Sequence, residues 1–314
     1  MPPVIQVRSH DTEEFSRSLK QANVSAIQIS KGAFQGELHQ YAIGNWSLQH
    51  LNFMEGRSSC AGEAPPDRHA FVVPLRYPAG CRLLGKPLTN TTMGIYSPRG
   101  EHADVTDKGL EEVVLIPPKR LLVHPADWQN EIEIPRTGSR HWHAPLDAVE
   151  TVRTLLREIH QLARSSPSSL IEPEVVRSLD DALSSKLTAT LNRSGDRTAA
   201  GRPPLPRPVI MRQVAEILMA HTGEPIYAGE LCAATGISHP TLQRIFIEWF
   251  GIPPARYLTL KRLYLARRRL GSRQYETVGE VAASCGFWEL SRFSRRYKNL
   301  FGVAPSQTLR KRPA

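Results

Sequence analysis

The chain has 314 residues, of which 40% are hydrophobic and 22% charged, with a formal net charge of +10. It exceeds the usual length of one compact domain, so two domains are expected, and it is too apolar for a disordered chain. No run approaches the roughly 18 to 20 apolar residues that a helical membrane span needs, so no membrane partner is expected.

The N-terminal "MPPVIQVRSHDTEEF" shows no charged segment followed by an apolar one. No secretory signal is read there, and a cytoplasmic location is expected. Up to about residue 140 the chain consists of short alternating or β-branched runs ("VSAIQIS", "FQGELHQYAIG", "WSLQHLNFM", "AFVVPL", "EEVVLI") separated by Gly, Pro and Asn. A period of two broken by turn residues predicts a small β-barrel or sandwich, cupin-like in outline. Over 145–193 the period changes. "LDAVETVRTLLREIHQLAR" places Leu146, Val149, Val152, Leu155, Leu156 and Ile159 on one stripe, and "PEVVRSLDDALSSKLTATL" repeats the behaviour. Two amphipathic helices follow, packed on the barrel or on a second copy of the chain. Residues 1–194 are read as a sensor or dimerisation domain. Residues 195–208, within "RSGDRTAAGRPPLPRP", are read as a Pro/Gly-rich linker. The four cysteines, Cys60, Cys81, Cys232 and Cys285, lack metal-ligand spacing and read as small buried hydrophobes in a reducing compartment.

Residues 209–314 read as helical almost throughout, which makes the whole a two-domain α+β chain. From Arg207 onward there are 17 Lys plus Arg against 7 Asp plus Glu, while the earlier part is balanced. A neutral domain followed by a basic one fits an electrostatic partner, most often nucleic acid, bound by the C-terminal part. That part contains a repeat. "ELCAATGIS…LQRIFIEWFG" is echoed about fifty residues later by "EVAASCGFW…SRFSRRYKNLFG", placing two helix-turn-helix motifs at about 226–250 and 277–301. In each, a short Ala-containing helix meets a glycine turn and then a longer helix.

In the first copy Ser238 is a good N-cap, and Leu242, Ile245, Phe246, Trp249 and Phe250 form a buried stripe. His239, Pro240, Thr241, Gln243 and Arg244 stand at the helix N-terminus, the end that reads base edges in such motifs. In the second, Leu290, Phe293, Tyr297 and Leu300 make the core stripe and leave Ser291, Arg292, Arg295 and Arg296 outside. Gln suits bidentate contact with adenine and Arg with guanine; a given Arg serves phosphate equally well. "PPARYLTLKRLYLARRRL", Pro253 to Leu270, is expected to be one rigid helix between the readers, with its "ARRRL" end facing phosphate.

"SHPTLQRIFIEWFGIPPARYLTLKRLYLARRRL" followed by "VGEVAASCGFWELSRFSRRYKNLFGVAPSQTLR" resembles the tandem helix-turn-helix domain of AraC/XylS-type bacterial transcription regulators. The "GFW", "PSQTL" and N-terminal "GAFQGELHQYAIGNWSLQHLNFMEG" details are similar, more faintly, to the ethanolamine-utilisation regulator branch. The resemblance implies a sensor domain in front, promoter DNA bound behind, homodimerisation, and activation through RNA polymerase. By motif position it assigns groove contacts to His239, Pro240, Gln243 and Arg244, and to Leu290, Ser291 and Arg295. Leu290 departs from the polar residue often found there, which suggests a thymine-methyl contact or none.

The sensor is less legible. "HWH", His141 and His143, places two imidazoles on one side of a strand without evident further ligands, so no metal is assigned. "RTGSR" sets Arg136 and Arg140 at the RxxxR spacing of cyclic di-GMP sites, and "NWS", Asn45 to Ser47, resembles its partner motif. The effector is read as a small metabolite or cyclic di-GMP, with Asn45, Ser47, Arg136 and Arg140 as candidate contacts. No catalytic constellation or resident cofactor is identified. Two other readings stay open, a nonspecific architectural DNA-binding protein and a DNA-repair enzyme fused to the same kind of reader.

Overall fold

The computed structural model describes residues 4–19, 23–122, 138–193, 207–221, 223–272 and 274–311. Most of the expected linker, up to residue 206, lies outside them. The N-terminal part runs β1 (Val4–Ser9), α1 (Thr12–Ser18), β2 (Asn23–Gln28), β3 (Gln35–Ile43), β4 (Trp46–Glu55), β5 (Ser58–Glu63), β6 (Ala70–Arg76), β7 (Arg82–Leu83), β8 (Lys86–Pro87), β9 (Thr92–Tyr96), β10 (Glu101–Thr106), β11 (Glu111–Ile116) and β12 (Ser139–His143). A seven-stranded sheet has the order β1-β3-β4-β11-β6-β9-β12, and a five-stranded one the order β2-β5-β10-β7-β8. Their strand pairings are antiparallel throughout.

Alternation along the strands decides what each face covers. Phe71, Val73, Val113 and Leu115 point to one side of the large sheet, where they pack against α2 (Leu146–Ser165) and α3 (Pro173–Asn192). Val72 and Ile116, one residue out of phase, face the interior between the sheets. The two amphipathic helices therefore cover the sheet of their own chain. Val149, Val152, Leu155, Leu156 and Ile159 are buried there as expected, whereas Leu146 is 45% exposed. Leu146 opens α2, and a helical side chain leans toward the N-terminus, away from the sheet that the later turns cover. Arg153, itself buried, ties α2 to β6 by donating to the Pro74 carbonyl at 2.7 Å, and Arg157 donates to that of Leu75 at 3.1 Å.

The C-terminal part contains α4 (Arg207–Ala220), α5 (Ala228–Thr235), α6 (His239–Phe250), α7 (Pro254–Gly271), α8 (Val278–Ser284), α9 (Leu290–Phe301) and α10 (Pro305–Arg310). The repeat is visible in the backbone: Gly236, Gly251, Gly286 and Gly302 adopt φ of 67°, 70°, 73° and 74°, the left-handed region that only glycine enters cheaply. Leu231, Leu242, Phe246, Val281, Phe293 and Tyr297 are buried in one core.

That core continues into the N-terminal domain. Ile27, Ala61, Ala103 and Val105, on the outer face of the five-stranded sheet, belong to the same buried cluster. Trp249 is half-buried: its ring packs on the helical core and also lies against Gly85 of the N-terminal part. The α7 helix carries the polar part of the contact. Its Tyr264 hydroxyl is 2.6 Å from Thr12 Oγ1 and accepts from the Gln28 amide at 2.9 Å, while Arg256 donates to the Ile29 carbonyl at 2.8 Å.

The arginines of the "ARRRL" segment, expected to face phosphate, have partners within the protein. Arg267 pairs with Asp11, Arg268 with Glu13 at 2.5 Å, and Arg269 donates to the Ser284 and Gly223 carbonyls at 2.8 Å each. Asp11 and Glu13 bring acidic charge beside this basic helix end, which draws Arg267 and Arg268 into the interface. A cavity of about 570 Å³ lies along the N-terminal half of α7, with Lys31, Arg256 and Arg296 on its walls.

Candidate nucleic-acid interface

Each reader helix is anchored by its apolar stripe, and the anchoring orients the polar side chains. In α6 the Ser238 hydroxyl accepts from the Thr241 amide at 3.4 Å, closing the first turn. Leu242, Ile245, Phe246 and Phe250 are buried below it. His239, Pro240, Gln243 and Arg244 are exposed, and Thr241 is half-buried with its Oγ1 3.1 Å from Ser238 Oγ, which suits a structural role in the cap.

In α9 only Phe293, Tyr297 and Leu300 are buried. Leu290 is not part of the core stripe: it is 49% exposed. Phe287, just before the helix, fills the core position instead, its ring 5.0 Å from that of Phe293. Ser291, Arg292 and Arg295 are exposed and Arg296 is half-buried. Arg292 has a loose partner in Glu289 at 3.6 Å, and Arg244 and Arg295 have no ion-pair partner among the described residues. Partial burial and the neighbouring charges of Arg292, Arg262 and Arg295 push the Arg296 guanidinium below its ordinary pKa. Arg244 and Arg295 thus stand exposed without an ion-pair partner among the described residues, in contrast to α7, whose cations are used internally. Arg262 lies over the Tyr227 and Phe287 rings, 4.9 and 5.0 Å from their centroids, and Lys261 donates to the Leu218 carbonyl.

The candidate effector residues are dispersed. Asn45 lies in the β3–β4 turn and Ser47 on β4, while Arg140 is exposed on β12, with β11, β6 and β9 between. Arg136 lies outside the described residues. His141 and His143 do face each other, Nδ1 to Nε2 at 3.5 Å, and burial lowers the His141 pKa to about 4. No group of three metal-ligating side chains close enough to share an ion occurs among the described residues.

A different feature of the N-terminal domain went unread in the sequence. Between the two sheets lies a mainly apolar cavity of about 80 Å³, reached by Phe53, Cys60, Tyr96, His102, Asp104 and Glu112. Asp104 is fully engaged, accepting from the Tyr96 hydroxyl and the Leu84 amide and lying 2.9 Å from His102 Nδ1. Glu112 has no hydrogen-bond or ion-pair partner among the described residues, and desolvation, then the Asp104 charge, push its pKa up to about 8. The signal was available in "EEVVLI": alternation that turns Val113 outward toward α2 turns Glu112 inward.

Two short-helix, glycine-turn, long-helix units joined by one helix make a tandem helix-turn-helix module. Residues 231–311 match the family model described as "Helix-turn-helix domain". The chain is 31% identical over 196 residues to the probable thc operon regulatory protein of Rhodococcus erythropolis, covering 61% of this chain and 55% of that one. It is 27% identical over 211 residues to the HTH-type transcriptional activator RhaR of Pectobacterium atrosepticum, covering 66% and 70%. Among solved structures, a probable AraC family transcriptional regulator from Rhodopseudomonas palustris is 38% identical, covering 33% of this chain and 99% of that one, at a TM-score of 0.30. The chain spans little more than half of the Rhodococcus relative and 26% of the regulator GbdR of Pseudomonas aeruginosa, which it matches at 32% identity. The C-terminal part of the chain therefore carries an AraC-type helix-turn-helix domain.

Proposed function

We propose that this chain is a sequence-specific transcription regulator that binds promoter DNA through α6 and α9 and answers to a small effector in its N-terminal domain. The observation that carries the reading is the division of the basic charge. The connecting helix uses its cations inside the protein, whereas both reader helices leave theirs, Arg244 and Arg295 above all, exposed and unpaired at their N-terminal halves. Two readers fixed to one helix suit entry into successive major grooves on one face of a duplex. The α7 helix is at once the strut between readers and the docking site of the five-stranded sheet, so an effector that shifts the sheet acts on reader spacing. The effector's place, on this reading, is the cavity that Glu112 faces. Homodimerisation and activation through RNA polymerase belong to the same proposal and rest on the family resemblance.

Fluorescence anisotropy with a duplex selected from a random library tests it. Binding is expected to beat a scrambled duplex by about a thousandfold or more and to weaken steeply with salt, about one log–log unit per phosphate neutralised. Equal affinity for all duplexes would point instead to a nonspecific architectural protein.

A further inference from the structure

Trp288 is 86% exposed, the most open of the large hydrophobic side chains among the described residues. It sits in the turn entering α9, and two residues on, Leu290 is 49% exposed. Neither is needed by the core, since Phe287 already fills the plug position beneath the Arg262 guanidinium. A tryptophan can bury about 150 to 250 Å² on a partner, so leaving one in water at the tip of a positive helix marks a contact surface.

The surroundings select the occupant. The apolar pair flanks Glu289, whose carboxylate is 3.6 Å from the Arg292 guanidinium, and is followed on the same helix end by exposed Ser291, Arg292 and Arg295, of which Arg295 is unpaired among the described residues. A surface that is apolar at its tip and cationic along its flank complements a duplex, whose phosphates border a major groove with one apolar base-specific mark, the thymine C5-methyl.

We infer that Trp288 and Leu290 form an apolar reading tip by which the second helix-turn-helix recognises thymine methyl groups. Leu290 meets a methyl in the groove, and the Trp288 indole covers the neighbouring one or seals that contact from water. Arg295 supplies the polar contact one turn further along. This assignment rests on the reading of the chain as a sequence-specific DNA binder and adds a residue whose role is specificity.

The experiment uses the full-length protein and a duplex selected from a random library. Each thymine is replaced in turn by deoxyuridine, which removes the methyl and leaves every hydrogen bond in place. At one or two positions under the second reader the affinity of the wild-type protein is expected to fall about fourfold per methyl. In Trp288→Ala and Leu290→Ala that sensitivity should vanish, with Trp288→Phe retaining part of it and base preference under the first reader unchanged. Both sites are exposed, so thermal melts are expected to stay at the wild-type value.

Three results would overturn the inference: no uracil penalty under the second reader, the same penalty in the Ala variants as in wild type, or unchanged DNA binding in Trp288→Ala with a loss only of transcription in a purified polymerase assay. The last would assign the tip to RNA polymerase. Failure of the underlying reading looks different, because then no duplex is preferred at all. A selected duplex that loses discrimination in Arg295→Ala yet ignores uracil leaves that reading standing and removes this inference alone.

Discussion

Glu112 offers a perturbation whose size follows from its surroundings. Enclosed beside the Asp104 carboxylate, it has its pKa pushed from an ordinary 4.5 up to about 8. A raised folded-state value means that the folded protein keeps a proton which the unfolded chain releases above about pH 4.5. Below that pH both states are protonated and the group is neutral in its effect. As pH rises from 4.5 toward 8, stability is progressively lost, and above 8 the loss is complete. At 1.36 kcal/mol per unit, the deficit is under about 1 kcal/mol at pH 5 and about 3 kcal/mol at pH 7. Glu112→Gln keeps the shape and removes the titration. Urea denaturation should therefore find the variant close to wild type at pH 5 and more stable by about 2 to 3 kcal/mol at pH 7 to 7.5. A wild-type-to-variant difference that did not change with pH would refute the argument, because it would mean that Glu112 is ionised in the folded protein or reaches water.

The reader helices should separate by position: Arg244→Ala and Arg295→Ala are each expected to relax discrimination at different base pairs by about 1 to 3 kcal/mol, checked by competition against single-base variants of a selected duplex. Uniform weakening would reassign them to phosphates. Gly286→Ala places a Cβ 2.1 Å from the Tyr227 hydroxyl at a φ of 73°, and a loss of about 2 kcal/mol or more is expected in urea melts. Gly302→Ala, at a similar φ with open space around it, should lose only about 1 to 2 kcal/mol. Tyr264→Phe strands the buried Gln28 amide and the Thr12 hydroxyl, so about 1 to 3 kcal/mol of the contact between sheet and α7 should go, read as faster hydrogen exchange at Gln28.

The readers were legible because their periodicity is local. Leu242, Ile245, Phe246 and Phe250 recur at helical spacing, and the glycines that end each unit have no other economical use than a positive φ. Leu290 escaped the pattern for a reason the spacing does not contain. The stripe has room for one large group at the mouth of α9, and Phe287, approaching from the turn, takes it. Arginines carry the same ambiguity. Arg268 and Arg295 look alike in a string of letters, but one meets Glu13 from the far end of the chain and the other meets nothing among the described residues.

The same limit applies to the docking face. Alternation in β2 and β5 shows residues apolar on both sides of the small sheet, which says that both faces are covered without saying by what. The inner side of β10, His102, Asp104 and Thr106, is the polar one, lining the cavity, and the outer side, Ala103 and Val105, is apolar. Read as an isolated sandwich, that arrangement is inverted. It makes sense only once α6 and α7 are placed on the outer face, because burying Ala103 and Val105 against Phe250 and its neighbours then leaves the inner face to the polar groups that line the cavity. The cavity and the reader thus share a single thin sheet: one face of β10 holds Asp104, and the opposite face, one residue along, holds the helix that carries Gln243 and Arg244.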